Sequence, residues 1–168
     1  MEWSVRPVDP GTYALTEVFQ ALDRALTIRA LYPDVEARAA AIRAAKLVVT
    51  RDDVYGYVDD RDGTIYLGHK HLTDGDPLVV YLDILHELVH VKQLHEGRDL
   101  YDSRHAYVDR PTEIEAYALV VEEARHLGLT DAAIAEYLYV EWASPKDHER
   151  LCRRLGVKAR GESPPEET

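Results

Sequence analysis

Pro77-Leu78-Val79-Val80-Tyr81-Leu82-Asp83-Ile84-Leu85-His86-Glu87-Leu88-Val89-His90-Val91-Lys92-Gln93-Leu94 decides how this chain is read. Apolar residues at helical spacing flank an H-E-x-x-H pentad, which predicts a buried helix and not a solvated loop. Residues four apart on an α-helix lie about 40° apart around its axis, so His86 and His90 face the same way and can grip one metal ion. Two histidines and a glutamate on a buried helix are costly unless they are paired or ligating. Pro77 suits the first turn of this helix, and Glu96-Gly97 suits its end.

Working back from the helix, the period changes. Leu47-Val48-Val49-Thr50, Val54-Tyr55-Gly56-Tyr57-Val58 and Thr64-Ile65-Tyr66-Leu67 are short and rich in β-branched or aromatic residues. Asp59-Asp60-Arg61-Asp62-Gly63 is a strong turn signal between the last two, which predicts a hairpin. The expectation is α+β, with a small antiparallel sheet of about three strands. Thr64 to His71 reads as an edge strand able to bind an extended peptide by main-chain hydrogen bonds, with His69 and His71 exposed. Residues 12–31 carry a stripe of Leu15, Val18, Phe19, Leu22, Ala25 and Leu26, which predicts an amphipathic helix; a second helix is expected over 35–45.

Downstream, 98–111 reads as a polar loop. Pro111 restarts a helix to about Gly128, and Thr130 caps another to about Glu141. The Ser144–Asp147 spacing opens a last helix. Residues 1–157 read as one domain, and the Pro- and Glu-rich stretch 158–168 as a disordered tail.

The 168 residues carry a net charge of −11, with pI near 5.1. That argues against direct nucleic-acid binding, which needs a basic footprint. Cys152 is the single cysteine, so no intramolecular disulfide forms, and a reducing, cytoplasmic compartment is expected. No signal-peptide pattern is read at the N-terminus, and no apolar run is long enough to span a membrane.

A catalytic zinc ion takes three protein ligands and keeps one position open. His86 and His90 would be two of them. Glu87, beside them, could act as general base on zinc-bound water, whose pKa falls from about 15.7 towards roughly 7. A third histidine six residues after His90 is ruled out, since Glu96 stands there and Gln93 stands where that pattern has glycine. The other source is a glutamate on the later helix, where Pro111-Thr112-Glu113-Ile114-Glu115-Ala116 offers two. Glu113 and Glu115 lie about 200° apart on a helix, so only one can face a metal. Ile114, Ala118 and Val121 are expected to pack that helix, and Glu113 suits the positive end of its dipole. An oxyanion donor is also needed. Tyr101, His105, Tyr107 and Tyr117 are candidates, and Asp83 lies one turn before Glu87.

With these features the chain resembles the gluzincin-type zinc metallopeptidases, in particular the minigluzincins and the ImmA/IrrE-like peptidases, over about residues 46–127. The carriers are the strand pair, His86-Glu87-Leu88-Val89-His90 and the Glu113-Ile114-Glu115-Ala116 stretch. The resemblance implies a zincin-like fold and a single Zn²⁺ held by His86, His90 and Glu115, the glutamate before the alanine. It also implies metallopeptidase activity with Glu87 as catalytic base, on a protein or peptide substrate. Two other classes compete. Glu87-x-x-His90 and Glu123-x-x-His126 match the motif of di-iron carboxylate bundles, but the strand block interrupts such a bundle. A catalytically silent zincin-fold interaction module would keep the metal ligands without the chemistry.

Overall fold

The computed structural model describes residues 2–158. Of the tail expected over 158–168, residues 159–168 lie outside the described residues, and Lys158 N–H donates to Asp131 Oδ2 at 2.9 Å. The described chain is α+β. The contacts group into two compact units, Met1–Tyr101 and Asp102–Thr168.

The first unit is built around a four-stranded sheet. Its strands are β2 (Gly11–Ala14), β4 (Lys46–Thr50), β5 (Gly56–Val58) and β6 (Ile65–Gly68), in the order β2-β4-β6-β5. The expected hairpin is present: β5 and β6 pair antiparallel, with Val58 opposite Ile65. The sheet is mixed, however, because β4 and β6 run parallel, Leu47 opposite Ile65. Parallel neighbours need a crossover, and the chain between β4 and β6 makes it by way of β5 at the edge.

The N-terminal helix expected over 12–31 is largely replaced. Gly11–Ala14 joins the sheet as β2, and Leu15–Val18 forms one helical turn, α1. Phe19–Gln20 then forms β3, which pairs antiparallel with β1 (Ser4–Val5). Ala21 follows in the left-handed region at φ 61°, so no helix can run through it. Helical structure resumes only at α2 (Leu26–Leu31). The stripe was a true core signal: Leu15, Val18, Phe19 and Leu22 are at most 2% exposed. Strand pairing took backbone that local propensity assigned to helix. The second helix, α3 (Val35–Ala44), forms as expected, capped by Asp34, whose Oδ1 accepts from Ala37 N–H at 2.8 Å.

After β6 the chain turns into a short helix, α4 (His69–Asp74), and then into α5 (Pro77–His95). Two expectations change here. β6 lies between β4 and β5, so it is an inner strand, and the sheet edge on this side is β5. His69 and His71 belong to a helix and not to a strand end. Asp76 caps α5 by accepting from Leu78 N–H at 2.8 Å, and Pro77 fills the first turn. The far end closes at Gly97, whose φ of 79° lets Arg98 N–H donate back to the Gln93 carbonyl at 3.0 Å. α5 packs on α2, β1 and β5, and its Val80, Leu82, Ile84, Leu85 and Val89 are fully buried.

The second unit holds α6 (Pro111–His126), α7 (Asp131–Tyr137) and α8 (Pro145–Arg154), preceded by a 3-10 turn over Tyr107–Asp109. Thr130 and Ser144 cap α7 and α8 as their spacing predicts. α7 stops at Tyr137, short of the expected Glu141. No described helix is long and apolar enough to cross a membrane.

Candidate metal centre

α5 is apolar on nearly every side, yet it carries one polar stripe. At 100° per residue, Asp83, His86, Glu87, His90 and Gln93 fall within about 120° of arc. His86, Glu87, His90 and Gln93 are 6%, 8%, 6% and 1% exposed. Keeping four polar side chains this dry requires that they be satisfied by one another, by neighbours or by a ligand.

The two histidines converge. Their Nε2 atoms are 3.0 Å apart, with ring planes nearly perpendicular at 85°. Two nitrogens each about 2.0–2.1 Å from a tetrahedral ion would be roughly 3.3 Å apart. The donor set therefore fits one small divalent cation with a preference for imidazole nitrogen. His90 is held from behind: its Nδ1 is 2.7 Å from Gln93 Oε1. Sequence reading noted Gln93 only as a misfit to another pattern. The signal that could have found it is its spacing, three residues after His90 on the same face.

Glu87 faces the sheet edge. A Cβ built on Gly56, at the start of β5, would lie 3.7 Å from the Glu87 carboxylate oxygen Oε1. Asp83, one turn earlier, accepts from His71 Nε2 at 2.7 Å. The His71 side chain is only 10% exposed, against the expectation that it would be a solvated strand end. Tyr55 sits edge-on to the same ring at 5.1 Å.

In the second unit, the two glutamates of α6 fall on different faces of the helix. Thr112, Glu113, Ala116, Tyr117, Val120, Val121 and Ala124 form its buried face, a series with steps of three and four. Glu113 belongs to that face and is 5% exposed. Glu115 is exposed, with Ala118 and Glu122 on its own side. The resemblance pointed to Glu115, the exposed one of the two. Of the expected packing set, Val121 is buried, Ile114 is half-buried and Ala118 is exposed, with Ala116 and Val120 buried in its place.

The four candidate oxyanion donors are placed as follows. The Tyr101 hydroxyl donates to the Val58 carbonyl on β5, and the residue is 44% exposed. Tyr107 and Tyr117 share a hydroxyl–hydroxyl hydrogen bond of 2.8 Å. His105 lies 3.9 Å from Asp102, and its side chain is 43% exposed. The Arg104 guanidinium and backbone N–H hold the Asp102 carboxyl well below the usual carboxylate range. For the di-iron motif, Glu123 is buried while His126 is exposed.

No protein-family model, curated protein or solved structure matches the chain.

Proposed function

We propose that this protein is a zinc-dependent metallopeptidase of the gluzincin type, with His86, His90 and Glu113 as its metal ligands. The observation that carries the reading is the pair of buried imidazole nitrogens 3.0 Å apart on α5, with Glu87 between them in the chain. Glu113 is preferred to Glu115 because it is the buried one of the two. His86, His90 and Glu113 are also the one group of its kind among the described residues that has the composition of a metal site.

Bound zinc would supply Lewis acidity, polarising the scissile carbonyl and acidifying the attacking water. The remaining work belongs to the chain. His86 and His90 would hold the ion through their Nε2 atoms. Glu87, with its carboxylate against β5, takes a proton from the attacking water and later delivers it to the leaving amine. The dry surroundings of α5 strengthen each of these interactions. The resemblance to ImmA/IrrE-like peptidases favours a protein substrate, and a transcriptional regulator by analogy.

The test is zinc content by elemental analysis on protein purified without added metal. Wild type is expected to hold about one zinc per chain, and so is Glu115→Gln, while Glu113→Gln holds much less. A peptide-library digest with the wild type then reports hydrolysis. Two irons per chain, or no metal at all, would overturn the reading. Zinc without hydrolysis of any peptide would leave a metal-stabilised interaction module.

A further inference from the structure

We infer that Gln93 is a positioning residue that locks His90 into the tautomer able to bind a metal. The inference rests on the metal site proposed above.

The argument starts from what an amide oxygen can do. Oε1 of Gln93 accepts hydrogen bonds and cannot donate one. Its 2.7 Å contact with His90 Nδ1 therefore requires the proton on Nδ1. That leaves Nε2 unprotonated, an acceptor directed at the side of α5 where His86 Nε2 lies 3.0 Å away. A histidine ligand usually donates its second ring N–H to a carboxylate, carbonyl or water, which fixes the ring and its tautomer. Here a side-chain amide three residues along the same helix fills that place.

Gln93 is built to be rigid. It is 1% exposed, so water does not compete for its amide. Its own backbone carbonyl is tied into the helix stop, accepting from Arg98 N–H at 3.0 Å across Gly97. The last turn of α5 therefore anchors the side chain that aims His90. The choice of an amide has a consequence. A carboxylate in this position would add negative charge behind the ligand and raise its basicity, whereas Gln93 orients His90 without that charge. The lock is thus neutral, and zinc affinity should respond to the charge placed at position 93.

The experiment uses the full chain, stripped with a chelator, and reads two quantities. The first is the zinc dissociation constant, by competition against a chromophoric chelator at fixed pH. The second is the tautomer of His90 in the metal-stripped protein, from ¹⁵N chemical shifts of its ring. Wild type should show Nδ1 protonated. Gln93→Met keeps the length but removes the acceptor; it should bind zinc about 10–100-fold more weakly and lose the Nδ1–H signature. Gln93→Glu restores the acceptor and should bind at least as tightly as wild type. If Gln93→Met and wild type agree within twofold in affinity and share one tautomer, the inference is overturned. If Gln93→Met does not fold, Gln93→Glu decides: a tenfold loss of zinc affinity overturns the inference, and wild-type or tighter binding supports it. If the wild type binds no zinc, the proposed function falls, and the ring shifts alone judge the lock, an Nε2-protonated His90 in wild type counting against it.

Discussion

The backbone of Gly56 backs directly onto Glu87. A methyl group there would sit 3.7 Å from both Cγ and Oε1 of that side chain, and 3.5 Å from the Tyr66 carbonyl. These are ordinary contact distances, so alanine fits without displacing anything. A longer branched side chain does not fit, and its simplest escape is to push the Glu87 carboxyl aside. We expect Gly56→Ala to keep wild-type activity and Gly56→Leu to lose tenfold or more, since a misplacement of about 1 Å can cost on the order of 100-fold. Zinc content should be unchanged in both. Parallel loss of zinc and activity in Gly56→Leu would mean that the strand, and not Glu87, was disturbed.

Asp83 and His71 tie α4 to α5 through one 2.7 Å contact with both side chains mostly shielded. Removing either partner leaves the other with a lost hydrogen bond in a half-dry setting. Asp83→Ala and His71→Ala should each cost about 1 kcal/mol, after allowance for the partial exposure of Asp83. In a chain of this size that is a Tm drop of about 2–4 °C. The double variant should cost clearly less than the sum of the singles, because both delete the same contact. Strict additivity in thermal melts would show that the pair carries no coupling.

What could be read from the sequence, and what could not, divides along physical lines. The α5 helix, its Pro77 start and its Gly97 stop follow from local rules, and so do the Asp34, Thr130 and Ser144 caps. The hairpin over Val58 and Ile65 was legible because its turn residues are unambiguous. The strand Gly11–Ala14 was not, because its pairing with Lys46–Thr50 is a contact between distant parts of the chain. Leu15, Val18 and Phe19 advertise burial but not the conformation that achieves it. The two glutamates of α6 show the same limit. Glu113 and Glu115 differ by a rotation about the helix axis, and composition alone cannot say which face is packed. The Gln93–His90 contact needed only helical spacing, yet it could be recognised only once both side chains were known to be buried.

Asp109 supplies a pH signature in the second unit. It accepts from Arg150 Nε at 3.0 Å and Nη2 at 2.8 Å, and lies 3.1 Å from Arg154. The Arg150 hydrogen bonds hold its carboxyl below the ordinary carboxylate value. A depressed folded pKa means the contribution is fully present above the unfolded value of about 3.9 and is lost as pH falls through the lower folded value. Asp109→Asn should therefore destabilise the protein by about 1 kcal/mol near neutrality, given the partial exposure of all three side chains. The gap from wild type should begin to close below about pH 4. Urea titrations across pH 2–7 test this; a gap that widens on acidification would contradict the assignment.

Glu87→Gln separates chemistry from construction. The substitution keeps the shape of a side chain that is 8% exposed and lies beside the two histidines on the α5 stripe. It removes the basic oxygen and leaves His86 and His90 in place. If Glu87 moves the proton, the variant should fold, melt close to wild type and hold the same zinc, while hydrolysing peptides 100- to 10,000-fold more slowly, the range expected of a lost general base, about 10²–10⁴. The pH profile should change with it, because the acid limb that reports the base disappears. A variant that loses zinc together with activity would place Glu87 among the ligands. One that keeps both would remove it from the mechanism, and another group would then have to be found to take the proton from water.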